Sequence, residues 1–549
     1  MLMSGIDPPH RRTKNYLAFY RRHYQELSEP LLALMRHGIR VDVTGARQLY
    51  ATLREHCNKV AAHLDDLVGA STCVCSHHTN KHTPKTINIY KGVLRKDGKP
   101  RKPKLKTTHP CERCACNDFT PRFPSLIGKK GLSSQKVVRY LYDRTTGLGF
   151  PKQKLQGQTT GNEITIRKLT LRARNFTSPK RGPKASAPFW QRDPEHAIAV
   201  CQAILTHREW SKLSDYVNVT KFDIDDRVRC TYKTTTENGR LASSKNPLGT
   251  GYNLQNIPRP GGPSDPHTHI RKVFLPDDGM VLWECDFSQI EDRIVKVLSK
   301  VPEAIAEAGL HPDTFDSHSI GAQRIFSRVL GIPPEDVDVK VEVAPGTSRR
   351  QISKPIRHGI NYDMSAARIQ DTLLKDGVVL LLAMCKKLRA AGRERYVEIY
   401  QRERRKRIMR HHALVNSWGR RLDFHWCRLD GATYRRGYAF SAASENADCL
   451  NQLALIPLYY YIMDNNLQSR VNLQVHDSLV GSSPLGELWE ILNFLNTVMS
   501  QVRVYEGVEL GVPVEFKVGT TWMCELSYKR LPSPKALQAD VENLLEGRG

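Results

Sequence analysis

The stretch "MVLWECDF", residues 280–287, constrains the fold of this chain more than any other feature. It is a short run rich in Val, Leu, Trp and Phe, introduced by the turn sequence "PDDG", and so reads as a buried strand, yet Asp286 lies at its end. A carboxylate held at the end of an apolar strand is costly unless something compensates its charge. "RVNLQVHDSLVGSS", residues 470–483, repeats the device. Val471, Leu473 and Val475 alternate with polar residues, "HD" suits a tight turn, and Leu479 and Val480 can return antiparallel, which leaves Asp477 at the turn. If the two strands are neighbours in one sheet, both carboxylates converge at one edge, where their repulsion calls for a divalent cation between them. Two Mg²⁺ ions about 3.5 to 4 Å apart are the standard device of phosphoryl transfer. Taken singly, Asp286 also fits a helix N-cap, and Asp477 an ordinary turn residue.

A third segment shifts that balance. "RRQISKPIRHGINYDMSA", residues 349–366, places Arg350, Lys354, His358 and Tyr362 four apart, along one helix face. Two permanent cations one turn apart suit a triphosphate, and the ring-bearing residues after them suit a base and sugar, although an isolated basic face also suits water.

Charge points the same way. Lys and Arg number 83 against 56 Asp and Glu, a formal net charge of +27, and such a field attracts polyanions, of which nucleic acid is the commonest large one. The 549 residues exceed one ordinary core and suggest about two to four domains or subdomains. With 40% hydrophobic and 25% charged residues the composition is globular. No apolar run reaches the roughly 18 to 20 residues needed to span a bilayer, and the opening "MLMSGIDPPHRRTKNY" lacks the apolar core of a signal peptide, so a cytoplasmic location without membrane association is expected.

Helical spacing runs through 21–68 with a break near "HGIRVDVTG", returns at 133–142, and fills about 195–216; residues 174–190 read as an exposed connection. Beyond 270, strand-like runs (271–287, 471–482) alternate with helical ones (288–300, 378–410, 444–463). Thirteen cysteines divide into eight scattered singly and a cluster of five: Cys73, Cys75, Cys111, Cys114 and Cys116, flanked by His77, His78, His82 and His109. Two ligand pairs joined by a basic hairpin at 81–106 resemble a zinc ribbon, with Cys73, Cys75, Cys111 and Cys114 as Zn²⁺ ligands and Cys116 as the alternative; an iron–sulfur cluster or free thiols remain open.

In chain order, "NGRLASSKNPLGTGYNLQNIP" (238–258), "DFSQIEDR", "DSHSIGA" (316–322), "RRQISKPIRHGINYDM", "SWGRRLDF" and "QVHDS" together resemble the motifs of the family A, DNA polymerase I-like, DNA polymerases. "DFSQIEDR" is similar to motif A, D-Y-S-Q-I-E-L-R; "RRQISKPIRHGINYDM" to motif B on the fingers helix; and "QVHDS" to motif C, V-H-D-E. The resemblance implies an α+β right-hand fold: a palm built on an antiparallel sheet, helical fingers and thumb, and here an inserted zinc-ribbon-like hairpin. The expected parts are N-terminal palm and thumb-base helices (1–68), the Cys-rich insertion (69–120), the thumb (121–235), palm with motif A (236–300), fingers with motif B (301–410) and palm with motif C (411–549). "EPLLALMRHGIRVDV" looks like the opening palm helix, so little precedes it, and no 3′-5′ exonuclease is expected within the chain.

The activity implied is template-directed addition of dNTPs to a primer 3′ end. Asp286 and Asp477, with the Phe287 carbonyl, would hold two Mg²⁺ ions. Arg350 and Lys354 would grip the triphosphate, Lys354 also giving a proton to pyrophosphate. His318, His358, Tyr362 and Gln289 would complete the dNTP site, and Glu291 would crowd a 2′-hydroxyl. Arg240, Asn253, Gln255, Asn256, Arg435 and His476 would touch primer-template DNA. A helicase or primase would be a natural partner, in a bacterial host or phage-infected cell. The pattern is also departed from. His358 replaces an aromatic stacking residue, Asp363 a glycine and Ser478 the motif C glutamate, Ala439 and Ala443 stand at the usual Asn and Gln positions, and Pro355 sits where a helix kink is expected. A single-subunit phage-type RNA polymerase shares the palm and the H-D-S form, but Glu291 argues against it; a catalytically silent nucleic-acid-binding protein on the same fold is the other alternative.

Overall fold

The computed structural model describes residues 17–70 and 124–547, apart from 130, 156, 178–183, 185, 259–267 and 345. The Cys-rich insertion, with Cys73, Cys75, Cys111, Cys114 and Cys116, therefore lies outside the described residues. Two compact units emerge, Met1–Leu49 with Tyr216–Gly549, and Tyr50–Asp215.

The larger unit is built on a five-stranded antiparallel sheet of β1 (Met280–Phe287), β2 (Arg470–Val475), β3 (Ser478–Pro484), β4 (Val514–Gly519) and β5 (Leu526–Tyr528), in the order β2-β3-β1-β4-β5. As the central strand, β1 buries almost every residue: Leu282, Trp283 and Cys285 are fully buried, which is why its sequence reads as a continuous apolar run rather than an alternating one. Gly481 on β3 makes room for the Trp283 indole, since a Cβ there would come within 2.1 Å of that ring. The indole N–H donates to Ser483 Oγ at 2.9 Å, so the largest core side chain is also satisfied.

Helices complete this unit. They are α1 (Ile290–Ser299), α2 (Ser317–Leu330), α3 (Arg349–Asn361), α4 (Arg395–His411), α5 (Gly431–Cys449) and α6 (Leu485–Met499). α6 lays Leu488, Ile491, Leu492 and Leu495, all fully buried, against β1 and β3. The expected helix over 378–410 is broken into Leu382–Ala391 and α4, and the one expected from Ser288 begins at Ile290, because Gln289 adopts φ +56° and cannot join it. α3 runs from Arg349 to Asn361 with Pro355 inside it, the position at which a kink was expected.

One buried carboxylate ties α1, α2 and α3 together. Asp292 on α1 accepts from Arg357 Nη2 at 3.2 Å and Asn361 Nδ2 at 3.3 Å on α3, and from Ser317 Oγ at 3.2 Å on α2. Burial pushes its pKa up, but Arg357 and Lys296 prevail and hold the carboxyl well below the ordinary range. Gly321 on α2 leaves the space that the Arg357 side chain occupies.

The smaller unit packs helices Ser134–Tyr142 and Glu163–Arg174 and the fully buried Ala197, Val200 and Ile204 around Leu141, Leu148, Phe150 and Trp190. Among the described residues no helix is long and apolar enough to cross a membrane.

Candidate active site

Asp286 is the penultimate residue of β1, in register with Ser478, the first residue of β3. Asp477 occupies the two-residue turn between β2 and β3, and its carbonyl accepts from the Phe287 N–H at 3.4 Å. Two aspartates 191 positions apart in sequence thus meet at one sheet edge. The turn needs His476 at φ +58°, and it is braced from below. Gln474 Nε2 donates to the His476 carbonyl at 2.7 Å, Gln255 Nε2 donates to Gln474 Oε1 at 2.8 Å, and the Tyr232 hydroxyl donates to the Gln474 carbonyl at 3.1 Å. Gln255, expected to touch DNA, is buried at 7% exposure and braces the 476–477 turn; its Oε1 also accepts from the Ser243 N–H. Asn253 accepts from Ser243 Oγ at 2.6 Å, whereas Asn256, His476 and Arg435 are exposed.

Helix α3 carries the polar stripe that the spacing predicted, and His358 on it lies within electrostatic reach of Asp477. Arg350, Lys354 and His358 are exposed and Ile352, Ile356 and Ile360 are buried, so the polar and apolar stripes separate cleanly. A capping box between Ser348 and Gln351 starts the helix. Arg350 Nε donates to Asp316 Oδ2 at 2.9 Å and Ser319 Oγ at 3.1 Å, which fastens it to the N-terminus of α2. His318, in that same first turn, has its pKa lowered to about 4 by burial and by the neighbouring Lys354 and Arg357, so at neutral pH it is an uncharged hydrogen-bonding group.

Glu291, in the first turn of α1, is 9% exposed and clamped from two sides: Arg240 donates to one carboxylate oxygen and the Tyr362 hydroxyl to the other. His358 stands 3.9 Å from the second oxygen and meets Tyr362 edge to face, with ring centroids 5.1 Å apart. Its imidazole is held below the ordinary range by desolvation and by Arg240, against the pull of Asp292 and Asp477. Asp363, where a glycine was expected, does take a left-handed conformation at φ +56°, and its carboxylate is held by Arg389 at 2.6 Å. Glu515, which the sequence reading missed, lies on β4 directly across from Asp286 and accepts from Ser288 Oγ at 2.9 Å. In "VPVEFKV" nothing distinguishes it from any outward-facing strand residue.

Residues 152–524 match the family model "DNA polymerase family A". The chain belongs to DNA polymerase family A. It is 28% identical over 381 residues to DNA polymerase I of Chloroflexus aurantiacus, which covers 66% of this chain and 36% of that protein. It is 30% identical over 309 residues to DNA polymerase I of Caldicellulosiruptor bescii, covering 54% and 32%. The chain spans about a third of the length of these relatives. Its fold is similar to the POL domain of Pol1 from M. smegmatis, solved in complex with DNA primer-template and dNTP, with a TM-score of 0.65 over 94% of this chain and 73% of that one, at 20% identity. Family A polymerases use divalent metal ions.

The donor set at the sheet edge fits such ions. Asp286, Asp477 and the Phe287 carbonyl are hard oxygen donors, and the neighbouring thiol of Cys285 is fully buried on the other face of β1. Among the described residues no group of three or more His, Cys, Asp or Glu side chains forms a ready metal cage. A divalent ion bound through one or two carboxylates, retained waters and substrate phosphates needs no all-protein cage.

Proposed function

We propose that this chain is a template-directed DNA polymerase that adds dNTPs to a primer 3′ end. The observation that carries this reading is the meeting of Asp286 and Asp477 at one sheet edge beside the exposed cationic face of α3. Mg²⁺ held by Asp286, Asp477 and the Phe287 carbonyl would stabilise the charge developing on the attacking and leaving oxygens. Lys354 would bind the triphosphate and protonate the departing pyrophosphate, while Arg350 would reach the same phosphates from its anchorage on Asp316. His358 and Tyr362 would bound the base and Gln289 the pocket rim. Glu291, which Arg240 and Tyr362 prevent from swinging aside, would exclude a 2′-hydroxyl. The neutral His318 would donate a hydrogen bond to phosphate rather than a charge. Arg240, Asn256, Arg435 and His476 would line the duplex path, with Asn253 and Gln255 supporting it from within.

The test is primer extension with each dNTP and each rNTP, with and without Mg²⁺. The wild type should extend only with dNTPs, and Asp477→Ala should lower the rate on the order of 10³-fold or more while still binding primer-template. Equal use of rNTPs would favour an RNA polymerase, and binding without any extension a silent nucleic-acid-binding protein.

We further infer a structural Zn²⁺ ion at Cys73, Cys75, Cys111 and Cys114, with Cys116 as the alternative ligand. Support comes from the sequence alone: paired thiolates flank ten Lys and Arg within 81–106, in the manner of a zinc ribbon. Purified protein should carry about one zinc per chain, and the absence of both zinc and iron would end this reading. Removing residues 73–116 should weaken DNA binding and flatten its salt dependence.

A further inference from the structure

Trp426 is 99% exposed. Tryptophan is rarely left this open to water, but a single exposed apolar side chain is not by itself a binding surface, so what matters is how the indole is anchored and what charge surrounds it. The exposure does not come from a loose loop. Phe424, fully buried, anchors the turn and its N–H donates to the His412 carbonyl at 2.7 Å; Cys427 N–H donates to the Phe424 carbonyl at 3.0 Å. Thr433 Oγ1 donates to the Arg428 carbonyl at 2.6 Å, and the Arg436 guanidinium reaches Cys427 Sγ at 3.5 Å. His425 stacks on His412, with centroids 5.3 Å apart. The residues around Trp426 are thus fastened to the body of the fold, and the indole alone stands out.

The charge around it selects the partner. Arg428 and Arg435 are exposed at the same corner, where the turn enters α5, and neither is ion-paired among the described residues. Of the acidic groups nearby, Asp423 pairs with Arg421 and Glu237 with Arg436, while Asp430 caps α5 through the Ala432 and Thr433 N–H groups and also feels the charge of Arg428 without a direct ion pair. Arg405 lies over the Tyr434 ring at 4.7 Å and brings the basic α4 to this corner. A flat apolar ring flanked by exposed guanidinium groups matches an unpaired nucleobase with its phosphates, since every base offers a π-face and the backbone supplies the negative charge.

We propose that Trp426 is a stacking platform for an unpaired base of single-stranded DNA, with Arg428 and Arg435 holding the adjacent phosphates. This rests on the polymerase reading only in naming the strand: the template beyond the primer terminus.

The experiment compares wild type, Trp426→Phe and Trp426→Ala on two DNAs with the same paired length, one blunt and one with a 5′ single-stranded extension. Trp426→Ala should lose about tenfold in affinity for the extended DNA and none for the blunt one, whereas Trp426→Phe, which keeps a ring, should stay within about threefold of wild type. Single-nucleotide addition at saturating DNA should be unchanged. Wild-type affinity of Trp426→Ala for the extended DNA, or equal loss on both DNAs, would overturn the platform. So would concentration-dependent self-association that Trp426→Ala abolishes with DNA affinity intact. A wild type that never extends a primer while Trp426→Ala still loses overhang binding would sink the polymerase reading and leave the platform standing; the reverse pattern would do the opposite.

Discussion

At the scale of single residues, the site is a set of side chains whose freedom has been removed. Glu291 is the clearest case: its carboxylate is held by both Arg240 and Tyr362, so in the role proposed for it, it cannot rotate out of the way of a sugar. Glu291→Ala should therefore raise ribonucleotide incorporation relative to deoxynucleotide about 10- to 200-fold, read as the ratio of kcat/KM values for one base pair. Asp363 offers a test of stability. Its left-handed backbone favours glycine, but the Arg389 ion pair offsets part of that preference. Asp363→Gly should fall within about 1 kcal/mol of wild type in urea unfolding, and Asp363→Val should cost about 2 kcal/mol more. The strand patterns made it legible that Asp286 and Asp477 stand at strand ends, and the four-residue spacing that Lys354 lies on the exposed face of α3. The burial of Gln255 was not legible, since an amide suits a buried brace as well as a groove contact, and only the fold brings Gln474 to it.

At the scale of elements, α5 carries a titration that the motifs do not reveal. Glu445 is 2% exposed and accepts from the Ser417 N–H at 2.6 Å and from the Ser417 hydroxyl. Burial, with Asp448 and Glu506 nearby, pushes its pKa up to about 7 against an ordinary 4.5. The folded chain therefore keeps a proton there that the unfolded chain releases earlier, so the stability this group contributes is complete below about pH 4.5 and is lost as pH rises to about 7. The Tm of the wild type relative to Glu445→Gln should fall steadily between about pH 5 and 7; a pH-independent difference would show that Glu445 is ionised when folded. Helices were easy to place from spacing where one face is apolar, as in α3. Their ends were not: the start of α1 depends on Gln289 adopting a backbone that no pattern of hydrophobicity encodes.

At the scale of the whole molecule, the excess of 27 positive charges should make DNA binding strongly dependent on salt. Affinity for primer-template should drop on the order of 10³-fold between 50 and 200 mM salt if about six phosphates are contacted, and a flat response would mean that the charge serves something else. The antiparallel pairing of the 470–483 hairpin was legible, but the placing of β1 between β3 and β4 was not, because long-range register leaves no local trace. That placing bears on how the chain is made. Both hydrogen-bonding edges of β1 wait for partners from residues 478–484 and 514–519, so during synthesis a greasy ribbon with two open sides is not fully paired until more than 200 further residues have been made. Truncations ending before residue 514 should aggregate rather than yield a weakened enzyme, and a ribosome-bound chain should need shielding by a chaperone for as long as that ribbon stays unpaired.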